Sequence, residues 1–114
     1  MFVVIYRWKL KEGMEAQFRE NWHRVTEGIA RKYGSLGSRL HRVDDGTWVA
    51  YAQWPTREAR ARAMREPPPD VQALYQMHEA IAERYNEMCM EVRDDLLRSE
   101  PAVVVPPAAA PARK

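Results

Sequence analysis

His78 is the side chain best placed for chemistry. On a helical reading from Asp70 onward it shares a face with Val71, Leu74, Tyr75, Ile81, Ala82 and Tyr85, so its imidazole is aimed at whatever that helix covers. An imidazole there titrates near neutral pH and can serve as a general base or as a haem ligand; equally, it can be a half-buried histidine bonded to a neighbour. Tyr6 and Tyr75 supply phenols able to orient or deprotonate a phenolic substrate, or to pack with their hydroxyls satisfied. Trp8, Trp22, Trp48 and Trp54 are a heavy load for 114 residues. Most belong to core or rim, and one or two can line a flat aromatic ligand.

Other candidates carry less. His23 and His41 have no metal-ligand spacing with each other or with an acidic pair, and HxxE and CxxC patterns are absent, so no metal site is expected. No glycine-rich phosphate loop supports a flavin or nicotinamide, and no cofactor is expected. Cys89, between Met88 and Met90, reads as a small hydrophobe in a strand. Arg57, Arg60, Arg62 and Arg65 read as a solvated helix face, and Asn21 as a side chain turned towards solvent.

The elements that position these residues follow from periodicity. In the first ten residues, Phe2, Val4, Tyr6, Trp8 and Leu10 alternate with Val3, Ile5, Arg7 and Lys9, giving a strand apolar on both faces. Met14, Phe18, Trp22, Val25 and Ile29 mark one face of a long helix closed by Gly34. Strands over about 36–43 and 47–54 flank the turn signal Asp44-Asp45-Gly46. Thr56 caps a short helix, Pro67-Pro68-Pro69 breaks it, and Asp70 caps another. A last strand is expected over about 87–96.

The fold class is therefore α+β: a ferredoxin-like βαββαβ chain with a four-stranded antiparallel sheet and helices on one face. Residues 1–97 form one domain, and the Pro- and Ala-rich residues 98–114 form a tail, mobile or laid along a partner through Val103 to Val105. The face with Tyr6 and Trp8 should meet the helices, beside Ser38, Leu40, Trp48, Ala50, Ala52, Trp54, Met88, Met90 and Val92. Small residues among aromatics leave room for a pocket lined by Trp8, Trp22, Trp54, Ser38, Ala50 and Ala52. The opposite face, with Ile5, Arg7, Arg39, His41, Val49, Tyr51, Gln53, Glu91 and Arg93, needs a cover, and a second copy of the chain is the simplest one. An ion-pair network of Arg7, Arg39 and Arg93 with Glu91 is expected in it.

Composition bounds the function. The net charge of +2 is spread along the chain, leaving no footprint for nucleic acid. No apolar run approaches the roughly 20 residues of a membrane span, and a cytoplasmic protein is expected.

The opening VVIYRWKLKEG, the segment DDGTWVAYAQWP with a helix straight after it, and the short final strand resemble the antibiotic biosynthesis monooxygenase family of dimeric α+β barrels. The resemblance covers residues 2–96. It implies a homodimer joined through the open sheet face. It also implies cofactor-independent oxidation of a small aromatic substrate, phenolic or anthrone-like, with O2, His78 acting as base and Tyr6 and Tyr75 positioning oxygen atoms. Members without catalysis, or binding a small ligand only, are the alternative. Haem-degrading relatives carry an axial histidine after an Asp-Val pair, as His78 follows Asp70-Val71. They also use an asparagine on the first strand, where this chain has Tyr6, and a tryptophan in the helix where it has Ala61 to Met64.

Overall fold

The computed structural model describes residues 1–99. Residues 100–114, most of the expected tail with Val103 to Val105, lie outside the described residues. In chain order come β1 (Phe2–Leu10), α1 (Glu15–Tyr33), β2 (Ser38–Arg42), β3 (Trp48–Trp54), α2 (Arg57–Met64), α3 (Val71–Glu79), β4 (Ile81–Arg84) and β5 (Met88–Glu91). The sheet order is β2-β3-β1-β4, and β5 also pairs with β1. All pairings are antiparallel. Helices α1 and α3 pack on one sheet face around Phe18, Val25, Ala73 and Met77. The α+β class and the one-faced antiparallel sheet follow the sequence reading.

Local chemistry accounts for the elements. Gly34 ends α1 in the left-handed region at φ 79°, where a β-carbon is disfavoured, and its N–H reaches the Ala30 carbonyl. In the β2–β3 hairpin, Asp45 Oδ1 accepts from the Thr47 N–H (3.0 Å) and the Thr47 hydroxyl (2.7 Å), closing an Asx turn. Thr56 and Asp70 cap α2 and α3 by accepting from the Ala59 and Ala73 N–H groups, each at 3.0 Å.

The last third of the chain departs from expectation. The third helix ends at Glu79, and Ile81, Ala82 and Tyr85 lie in or beside strand β4, not on the helix. The helical spacing that runs on through Ile81, Ala82 and Tyr85 is overridden by tertiary pairing with Trp8, Lys9 and Leu10. The final strand is thus two pieces along one edge of β1. Trp8 faces Arg84 and Ile5 faces Met88, so three steps along β1 match four along its neighbour. That extra residue, in the stretch 85–87, is a bulge.

Beyond the bulge the alternation is inverted. Met90 faces Val3 and Met88 faces Ile5 on the outer side, while Cys89 faces Val4 and Glu91 faces Phe2 on the helix side. Met88 and Met90 are therefore not neighbours of Tyr6 and Trp8, and Glu91 is not on the outer face. The expected network changes accordingly: Arg7 pairs with Asp45 at 2.9 Å, and Glu91 with Arg57 at 3.3 Å.

Candidate functional site

A cavity of about 330 Å³ opens between the sheet and helices α1 and α3. Its walls are apolar, with Trp8 and Trp54 from the sheet, Trp22 and Ile29 from α1, and Leu74 and Met77 from α3. Space exists because Ser38 and Ala52, directly paired across β2 and β3, put small side chains between the aromatics. The Tyr6 and Trp8 rings, two residues apart on β1, stack with centroids 5.8 Å apart and planes within 3°. Phe18 meets Trp8 edge-on from behind at 5.2 Å, which fixes that wall.

One end of the cavity is polar. Arg60 reaches in from α2 and donates through Nη2 to the Tyr6 hydroxyl at 3.0 Å and to the Glu87 carboxylate oxygens at 3.1 and 3.2 Å. Its side chain is only 16% exposed, and its Nε is buried without an acceptor among the described residues. Burial pushes the Tyr6 phenol up, against the opposing pull of Arg60. Tyr6 is therefore a neutral hydroxyl at physiological pH, suited to orient a ligand and not to take its proton.

His78 lines the same cavity from α3 but is largely exposed, at the mouth. It makes no hydrogen bond to the described residues. Partial burial and then the nearby Arg84 guanidinium push its imidazole below the ordinary histidine value. It is consequently neutral near pH 7, the form that accepts a proton.

Of the residues singled out in the sequence, Tyr6, His78, Trp8, Trp22, Trp54, Ser38 and Ala52 surround the one cavity. Tyr75 does not. It is 68% exposed, because α3 buries the face of Ala73 and Met77 and turns Tyr75 outward. Ala50 is 1% exposed and packs in the core with Phe18 and Trp48, off the cavity lining. Asn21 is buried between the helices and not solvated; its Nδ2 donates to the Gln17 carbonyl at 2.8 Å.

Sequence reasoning missed Arg60, Arg84 and Glu87. In sequence Arg60 reads as part of a solvated face with the other arginines of α2, yet it shares a face with Ala63, the buried residue of that helix. That small-residue face was the available signal. Glu87 had none, since the bulge aims it. Among the described residues, no three His, Cys, Asp or Glu side chains converge as a metal-ligand set.

A one-faced antiparallel sheet whose helices flank an apolar pocket with one polar end defines a domain of the ferredoxin-like α+β type. Residues 1–68 match the model of the antibiotic biosynthesis monooxygenase family, and the chain belongs to that family. No curated protein matches it. In structure it is similar to SnoaB, a cofactor-independent oxygenase from Streptomyces nogalater, with TM-score 0.69 and 20% identity over 85% of this chain and 97% of that one. It is also similar to a protein from Mycobacterium tuberculosis, with TM-score 0.67 and 15% identity over 84% of this chain and 98% of that one. At these identities the likeness is one of fold.

Proposed function

We propose that the protein is a cofactor-independent monooxygenase of this family, oxidising a small phenolic or anthrone-like substrate with O2. The observation that carries this reading is an imidazole free of hydrogen bonds to the described residues, His78, lining a tryptophan-walled cavity that also holds the Tyr6 and Arg60 hydrogen-bond donors. His78 takes a proton from the acidic position of the substrate. The electron-rich anion passes one electron to O2, and the two radicals combine to form a C–O bond. The His78 imidazolium returns its proton to the peroxide so formed, and loss of water then leaves a carbonyl, so one oxygen atom enters the product and the other leaves as water. The chain's part is to exclude bulk water, hold the ring flat between Trp8, Trp22 and Trp54, and take up the proton.

We propose further that the working unit is a homodimer joined through the outer sheet face. Val49 and Tyr51 are half-buried there and Met88 is 58% exposed, and Leu96 and Leu97 border the same surface at 90% and 79% exposure. Among the described residues no helix is long and apolar enough to cross a membrane. The unpaired, exposed Cys89 fits a reducing compartment, and we place the dimer in the cytoplasm.

The test is oxygen uptake by the purified protein with an anthrone as sole additive, without metal or flavin. Turnover lost in His78→Ala supports the reading. Tight binding of the aromatic with no uptake rejects it in favour of a ligand-binding dimer.

A further inference from the structure

The polar end of the cavity is incompletely satisfied, and the deficit has a sign. Arg60, Arg84 and Glu87 line it, two guanidiniums against one carboxylate, while the neighbouring His78 is neutral. Glu87 is engaged by Arg60, whereas Arg84, solvent-exposed at the end of β4, has no ion-pair partner among the described residues. Arg84 pairs with Trp8, two residues along the inner face of β1 from Tyr6.

Hydrogen-bond accounting points the same way. Arg60 Nη2 has two hydrogens for three oxygens, whereas its buried Nε–H meets no acceptor. Tyr6 receives a hydrogen bond from Arg60 but has no acceptor for its own proton among the described residues. A neutral phenol whose lone pair is held by a guanidinium is a strengthened donor. What the site lacks is therefore acceptor capacity for two donors, the Tyr6 O–H and the Arg60 Nε–H, together with one negative charge.

We propose that Tyr6, braced by Arg60, is an oxyanion clamp, and that the ligand is a flat aromatic carrying a single ionised oxygen conjugated to its ring system, a phenolate, enolate or aryl carboxylate. The oxygen accepts the Tyr6 O–H, the excess positive charge of Arg60 and Arg84 balances it, and the rings occupy the space between the tryptophans. Glu87 is a positioning residue: it fixes the guanidinium, and the bulge at 85–87 brings it to the cavity. The inference rests on the oxygenase reading for its purpose, since a substrate anion is the species that reduces O2. Its test, however, does not require turnover.

The experiment uses the redox-inert pair 2-naphthoate and 2-naphthamide, similar in shape and differing in charge, titrated against the quenching of cavity tryptophan fluorescence. Wild type should bind the naphthoate about tenfold more tightly, a difference of about 1.4 kcal/mol. Tyr6→Phe and Arg60→Gln should each reduce that preference to about threefold or less, and Arg60→Lys should restore part of it. With 2-naphthol as probe, the bound phenol should ionise about one pH unit lower than the free one, by linkage with the same preference. Should a variant fail to fold, the wild-type preference and the naphthol shift still decide the matter. Equal affinity for the two probes, no binding of either, or a preference untouched in both variants overturns the clamp. An anion preference without oxygen uptake would reject the oxygenase and leave the clamp standing.

Discussion

At the scale of the residue, His78 and Tyr6 divide the work between a proton acceptor and a donor that stays protonated. His78 is exposed and makes no hydrogen bond to the described residues, so its truncation removes little packing. We expect His78→Ala to change stability by no more than about 0.5 kcal/mol and to cost roughly 10²- to 10⁴-fold in oxygen uptake. Thermal melting and uptake measured on one preparation check both halves. The pH dependence follows from the depressed imidazole. The folded state binds fewer protons at His78 than the unfolded state does, so any stability linked to it is present above the ordinary histidine value and is lost as pH falls through the folded one. Uptake should fall on the same acidic side and be flat above it, which a profile from about pH 5 to 8 will show.

Residues were legible unequally. Alternation along β1 and β3 placed Tyr6, Trp8, Ala52 and Trp54 on one face, because a period of two admits no other answer once Trp54 faces Phe2. The sequence reads Tyr75 as an inward residue, whereas helix α3 packs through its inconspicuous residues. Ala73 and Met77, with Ala80 at its end, form the buried seam, and the larger Tyr75 lies off it. Arg60 was hidden by its company, one arginine among several in a helix whose buried face is only alanine wide.

At the scale of the element, the cavity depends on where α3 sits. Gln17 of α1 ties the two helices together, donating to the Gln76 carbonyl at 3.0 Å and to Glu79 at 2.9 Å. The start of α3 is fixed by Asp70 on the Ala73 N–H. We expect Asp70→Ala to cost about 1 kcal/mol and to loosen the wall carrying Leu74, Met77 and His78. Lower melting together with weaker quenching by a bound aromatic would report this; intact ligand binding at reduced stability would show that α3 is held by its core contacts instead. Helices α1 and α2, the start of α3, the hairpin and both side-chain caps are readable because each rests on contiguous residues. The split of the final strand was not. It is decided by pairing with residues some eighty positions earlier, and one inserted residue exchanges the faces of everything after it.

At the scale of the whole molecule, the sheet has helices on one side only. The outer side is not a uniform surface: Val3 is 1% exposed beneath the segment that follows β5, whereas Met88, Leu96 and Leu97 remain open around it. Arg7, at the end of this face, is already paired with Asp45 and lies over the Tyr85 ring at 4.9 Å, so covering that end buries no unpaired charge. Ile5 stands at the middle of β1, half-buried between Tyr51 and Met88, with its side chain on the outer side. A carboxylate at this position would have no cation directly opposite it, and it keeps part of its hydration in the single chain but loses it when the face is covered. We therefore expect Ile5→Asp to convert a dimer to a folded monomer, with the far-ultraviolet dichroism retained. Sedimentation of wild type as a monomer at micromolar concentration, or an unchanged dimer in the variant, would move the interface elsewhere on the molecule.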